Sequence, residues 1–227
     1  MISSVELVFR NTREAILDGV YQPGLPLRLA DIAAQNNVSL IPVREALRML
    51  EAGGFVESAR NKGARVTSLS KADLLDVYGT RIVLELEALR QAFDNLTPDN
   101  VRQVGRLHDQ MMRQMRAGVG GFRETHQALH FAIYDQARSP WLDRLIRVVW
   151  DHTERYRRIS AAKSTLNEIS GPHLRIIEAL ERRDLEASLT ALREHLEQTA
   201  ATVARVYDRA LAKEGSPRTA QASPKAS

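Results

Sequence analysis

The sequence predicts a mainly α protein: a small N-terminal unit of three helices and a β-hairpin, followed by an all-helical antiparallel bundle. Three observations carry this. Apolar residues recur at helical spacing through most of the 227 residues. The β-type runs FVES and ARVTSL sit side by side around ARNKG, with Asn61-Lys62-Gly63 as a hairpin tip. Beyond Ser70 no strand pattern competes with the helical one. The expected division is therefore residues 1–69, residues 70–213, and a small, polar, disordered tail over 214–227.

Composition bounds the function. Hydrophobic residues make up 44% and charged residues 26% of the chain, the balance of a soluble globular protein with a real core. The net charge of +4 is compatible with nucleic acid without requiring it. The absence of cysteine excludes disulfides, thiolate chemistry and Cys-type zinc sites. The N-terminus carries Glu6 and Glu14 and is neither a signal peptide nor a membrane span, so a cytoplasmic protein is expected.

The elements follow in order. Val5, Val8, Phe9, Thr12, Ile16 and Leu17 form the inner face of a first helix over 4–18, closed by Gly19 and Pro23-Gly24. Residues 29–36 form a second, with Leu29, Ile32 and Ala33 inward, and Asn36-Asn37 mark a turn. Ser39 caps a third, with Pro42 in its first turn; Val43, Ala46, Leu47 and Leu50 are its buried stripe and Gly53-Gly54 its stop. Ser70 then caps a long helix whose apolar side is Leu74, Val77, Ile82, Leu86 and Leu89. Thr97-Pro98-Asp99 opens another that runs to Ala117, and Gly118 to Gly121 break the chain. Helices are expected over 122–137, 140–161, 172–182 and 184–212.

Three helices and a hairpin are the order of a winged helix-turn-helix. A third helix anchored by Val43, Ala46, Leu47 and Leu50 leaves its outer face and N-terminus free to enter a major groove. Arg44 and Arg48 lie on that face, where arginine can bond phosphate or the O6 and N7 of guanine. Arg60, Lys62 and Arg65 surround Gly63 in the wing. The alternative is a helical subdomain with solvated charges, in which Arg44 and Glu45 make surface pairs.

Three segments in the right order resemble the DNA-binding domain of the GntR family of bacterial transcriptional regulators: AILDGVYQPGLPL, VSLIPVREALRMLEAGGFV and NKGARV. The resemblance implies DNA contacts from Ser39, Leu40, Ile41, Arg44, Arg48, Lys62 and Gly63. This chain has Leu40-Ile41 where Arg-Thr is usual, and Ala30 where some members have arginine. Apolar contact with a thymine methyl is one substitute for the missing arginine.

The helical part carries all six histidines, none before residue 108. His126 and His130 lie four apart, on one face of a helix. His173 and His195 come from later helices, so four imidazoles could converge inside a bundle; surface or hydrogen-bonded histidines are the plain alternative. DVYGTRIVLELEALRQA, LHFAIYDQARSPWL and PHLRIIEALERRDLEASLTALREHL resemble the FCD effector domain of the FadR-type branch of the GntR family. That resemblance implies a divalent metal of zinc, nickel or manganese type, with His130, His173 and His195 at the three histidine positions and His126 where aspartate is usual. His108 and His152 match no motif and are read as structural or exposed. Arg81 reads by pattern as a surface pair with Glu85; by resemblance it faces the ligand cavity and grips a carboxylate.

The reading is a ligand-responsive, dimeric DNA-binding regulator, a repressor by the commoner mode of similar proteins. It would bind an operator with two-fold symmetry and answer to a small organic acid. One alternative is a metal-dependent hydrolase using the histidine cluster. Against it, Gln127 follows His126 and Glu124 precedes it, so no H-E-x-x-H motif is present. A structural DNA-binding protein with an inert cluster is a third.

Overall fold

The computed structural model describes residues 2–59, 63–118, 120–161 and 166–214. Helix α1 (Ser4–Leu17) starts on Ser3, whose hydroxyl accepts from the Glu6 amide at 3.1 Å. Helices α2 (Leu29–Asn36) and α3 (Leu40–Ala52) follow. Asn37, left-handed at φ 52°, makes the turn between them, as the Asn-Asn signal predicts. Strands β2 (Val56–Ala59) and β3 (Gly63–Val66) form the hairpin, and β1 (Pro26–Leu27) adds a third strand in the order β1-β3-β2, all antiparallel. β1 was not expected. It is two residues long and begins with proline, too short for any alternation. The core of this unit runs from Val8 and Ile16 through Ile32, Val43, Ala46 and Leu50 to Phe55 and Val66. Arg60 and Lys62 lie outside the described residues.

Helices α4 (Lys71–Ala92), α5 (Pro98–Ala117), α6 (Phe122–Tyr134), α7 (Pro140–Ala161), α8 (Leu166–Glu181) and α9 (Leu185–Glu214) form the bundle, with 3-10 turns at Phe93–Asn95 and Asp135–Ala137. Ser70 caps α4 through the Asp73 amide at 3.1 Å. Thr97 and Asn100 close a reciprocal capping box on α5. Gly118, left-handed at φ 63°, ends α5 in the conformation that favours glycine. A core of Leu86, Leu89, Met111, Leu129, Ile146, Trp150, Ile176 and Leu192 joins helices α4 to α9, and it shares no residue with the N-terminal core.

Several boundaries differ from expectation: the helix expected over 122–137 ends at Tyr134 and passes into a 3-10 turn, and α1 stops at Leu17. Pro172 was taken as a helix start, yet α8 begins at Leu166 and runs through it. α9 extends to Glu214, the first residue of the expected tail, and the remainder of that tail lies outside the described residues. Among the described residues no helix is long and apolar enough to cross a membrane.

Candidate nucleic-acid face and histidine centre

Helix α3 buries Val43, Ala46, Leu47 and Leu50 and presents the opposite face to solvent. That face carries Arg44, Arg48, Leu40 and Ile41, with Ile41 67% exposed. Neither arginine forms an ion pair among the described residues, so the surface pairs of the alternative reading are not what the fold makes. Ser39 holds the extended N-cap position, but its hydroxyl makes no capping bond. A hydroxyl without a capping bond and unfilled amides at one helix start are donors for a phosphate. In the wing, Arg65 lies opposite Glu57 in the strand register and is paired with it at 2.7 Å. Gly63 begins β3.

His126 and His130 on α6, His173 on α8 and His195 on α9 converge. Their candidate ligand atoms all lie within 4.8 Å of one another, and all four rings are buried. Burial, then neighbouring cations and imidazoles, holds His126, His130 and His195 well below the ordinary imidazole range. Neutral rings are the form that ligates a metal.

The surrounding bonds fix one tautomer. Tyr134 donates its hydroxyl to Glu85, and burial beside Glu85 pushes that phenol well above its ordinary range. Its oxygen must then accept from His130 Nδ1, 3.1 Å away. His130 therefore turns the Nε2 lone pair inward, toward His173 Nε2 at 3.1 Å. Two nitrogens each about 2.1 Å from one ion can have that spacing. His195 Nδ1 is buried with no hydrogen-bond partner. The donor set thus fits a divalent ion that takes nitrogen ligands. His126 differs from the others: Arg157 Nη1 lies 2.9 Å from its Nδ1, so that atom is engaged as an acceptor.

Arg81 is not at the surface, correcting the exposed pair that the sequence pattern suggested. It is 2% exposed, and Glu85, one turn on, is fully buried. Arg81 donates to Glu85 and, at 2.8 Å, to Thr153, and its guanidinium lies 4.0 Å from the centre of the Trp150 ring. The pairing follows from the i, i+4 spacing. Its burial does not: α7 and α6 cover that face of α4, which one helix's periodicity cannot show.

α7 touches both halves of the molecule. On one side Trp150, Thr153 and Arg157 meet Arg81 and the histidines. On the other, Asp151 pairs with Arg13 of α1. His152 stacks on Phe55 at 4.7 Å and meets the Gly53 carbonyl at 2.7 Å. Arg155 bonds the Thr67 carbonyl. His152 thus ties α7 to the Gly53 turn and His108 is buried, so of the two readings, structural or exposed, the exposed one holds for neither. Sequence reasoning missed Tyr134, Trp150, Thr153 and Arg157. Arg157 stands in the run ERYRR, where nothing in composition separates it from its neighbours.

The buried imidazoles set a pH response. Unfolded histidines take up protons near pH 6.5, whereas His126, His130 and His195 stay neutral when folded. Their full contribution is therefore present above about pH 6.5 and is lost as pH falls below it, by up to about 1.4 kcal/mol per pH unit for each group. Chelated protein should show a lower urea midpoint at pH 5.5 than at 7.5. Equal midpoints would contradict burial of neutral rings.

Comparison with known proteins agrees with this architecture. Residues 5–66 match the model of bacterial regulatory proteins of the gntR family, and residues 76–198 match the FCD domain. The uncharacterized HTH-type transcriptional regulator BphR of Paraburkholderia xenovorans (strain LB400) is 32% identical, over 88% of this chain and 85% of its own length. The HTH-type transcriptional repressor RspR of Escherichia coli (strain K12) is 25% identical, over 88% of each. The solved structure of E. coli McbR/YncC superposes with a TM-score of 0.77 at 23% identity, over 91% of this chain and all of that one. These relatives are transcription regulators rather than enzymes, and the hydrolase alternative falls with that.

Proposed function

The chain belongs to the GntR family of bacterial regulatory proteins, in the FadR-type branch that carries an FCD domain, and from that membership we propose how this transcriptional regulator works. It binds as a homodimer to an operator with two-fold symmetry and represses transcription in the cytoplasm, as the name of its relative RspR suggests by analogy. Ser39, Leu40, Ile41, Arg44 and Arg48, with Lys62 and Gly63 of the wing, make the DNA contacts. His126, His130, His173 and His195 hold a divalent metal of zinc, nickel or manganese type. A small organic acid bound beside the metal, with Arg81 facing its carboxylate, is the signal.

One observation carries the choice of an acid. Arg81 is matched by Glu85 and Arg157 by Glu154, and the four imidazoles are buried. A divalent ion there adds two positive charges that no unpaired carboxylate beside it among the described residues answers, and an anionic ligand supplies the complement. α7 supports the route of the signal, because the same helix lines the histidine centre and holds α1 and the Gly53 turn. The acid must bind the two arrangements of the DNA-reading unit unequally to switch anything.

The test is a thermal-shift screen of small organic acids on chelated protein and on protein reloaded with zinc, nickel or manganese. An acid that raises the melting temperature only of the metal-loaded protein is expected, since binding to the folded state alone stabilises it. Arg81→Ala should weaken that acid about tenfold or more by calorimetry. Acids that act equally on chelated protein, or unchanged affinity in Arg81→Ala, would remove the metal or the arginine from the reading.

A further inference from the structure

A cleft of about 350 Å³ lies between the DNA-reading unit and the bundle, on the side of α7 away from the histidines. Apolar Ile16, Leu17, Pro23 and Leu69 line it, together with Arg155 and Arg158. The other arginines at this junction have carboxylate partners: Arg13 has Asp151, and Arg123 has Glu14 and Asp18, both at 3.1 Å. Arg155 and Arg158 form no ion pair among the described residues.

Arg155 is 6% exposed, and its bond goes to a neutral acceptor, the Thr67 carbonyl. Burial lowers its pKa, against weaker opposing pulls from Tyr156 and Asp73. A buried cation held by no ion pair is costly and calls for an anion. The hydroxyl of Thr67 itself is buried with no partner. Arg158 lies directly over Gly19, at the end of α1. A Cβ on Gly19 would fall 1.2 Å from Arg158 Nη1, and Gly19 has φ +65°. Glycine both turns the chain there and leaves the space that the guanidinium fills.

We infer that this cleft is a second ligand site, separate from the histidine centre, for a small carboxylate with an apolar body. The two guanidiniums take the carboxylate, for which their planar forks are suited. Ile16, Leu17, Pro23 and Leu69 take the hydrocarbon part, from which an inorganic anion would gain nothing. The volume is near the lower end of ligand pockets, which limits the ligand to roughly one ring or a short chain. Occupancy would tie the end of α1 and the 67–69 connection to α7, favouring one arrangement of the DNA-reading unit.

Benzoate and its neutral analogue benzamide are the probes, titrated calorimetrically into the full-length protein. Saturable benzoate binding is expected with a dissociation constant of roughly 1 mM or tighter, and benzamide should bind about tenfold more weakly. Chelation should leave this binding intact, which separates it from any acid held at the histidine centre. Arg158→Ala and Arg155→Ala should each weaken it about tenfold or more. Arg158 is exposed, so its variant keeps the test valid if Arg155→Ala does not fold. The inference is overturned if benzoate shows no saturable binding, if benzamide binds equally well, if Arg158→Ala leaves the binding unchanged, or if chelation removes it. It is also overturned if Arg158→Ala weakens operator binding while benzoate does not bind, which would make these arginines phosphate contacts.

Discussion

Arg44→Ala is expected to weaken sequence-specific operator binding roughly 5- to 150-fold while leaving the fold intact. The side chain is exposed on α3, off the buried stripe, and no carboxylate among the described residues pairs with it. One bidentate contact to guanine contributes about 1–3 kcal/mol of discrimination, roughly 5- to 150-fold in affinity. The loss should fall on the operator and barely on random DNA. Arg48→Ala is the internal comparison: as a phosphate contact it should weaken operator and random DNA alike and lower the salt slope by about one unit. Anisotropy titrations of both duplexes across a salt series separate the two behaviours. Unchanged operator affinity in Arg44→Ala would remove the residue from the reading face. Because Leu40 and Ile41 stand beside it, much of the remaining specificity should come from apolar contact with thymine methyl groups rather than from a second arginine.

The DNA-reading unit was legible in the sequence because its signals are local. A stripe at i, i+3, i+4 and i+7, an Asn-Asn turn and a double glycine each fix a few consecutive residues, and α2 and α3 fall where those signals put them. The histidine centre was legible for a different reason. Two of its members share one helix face, and the other two were placed by resemblance to a domain family. What stayed hidden is what depends on which helix covers which. Glu85 and Arg81 look like any solvated i, i+4 pair until α6 and α7 close over them. Tyr134 looks like a core aromatic until its hydroxyl is found between Glu85 and His130. Helical period reports the direction of a side chain around its own axis and carries no information about the neighbour it meets. The apolar side read for α4 was incomplete in the same way, since Leu74, Tyr78, Arg81 and Glu85 are all buried although three of the four carry ionisable groups.

Glu85→Ala is expected to be the most damaging single change in the bundle, and its two consequences can be measured apart. The first is stability. The carboxylate is fully buried and accepts from both Arg81 and Tyr134. Burial works to lower the Arg81 pKa, and Glu85, with smaller contributions from Tyr78 and Tyr134, more than reverses that. Removing Glu85 leaves an uncompensated buried guanidinium, a loss of about 3–5 kcal/mol, or roughly 6–20 °C in melting temperature for a chain of this size. Glu85→Ala combined with Arg81→Met removes both charges and should recover most of that loss, as coupled partners do in a double-mutant cycle. Additive losses in the double variant would mean that the pair is not coupled. The second consequence is the state of His130. With Glu85 gone, Tyr134 is no longer committed to donating elsewhere and can donate to His130 Nδ1, which releases the ring from the tautomer that turns Nε2 inward. Groups that orient a ligating histidine from behind typically change metal affinity about 10- to 100-fold. Competition with a chelating dye, on the double variant that still folds, should show zinc affinity reduced by that factor. Unchanged zinc affinity there would mean that the Glu85–Tyr134–His130 chain serves stability alone and that the inward lone pair of His130 is fixed by His173.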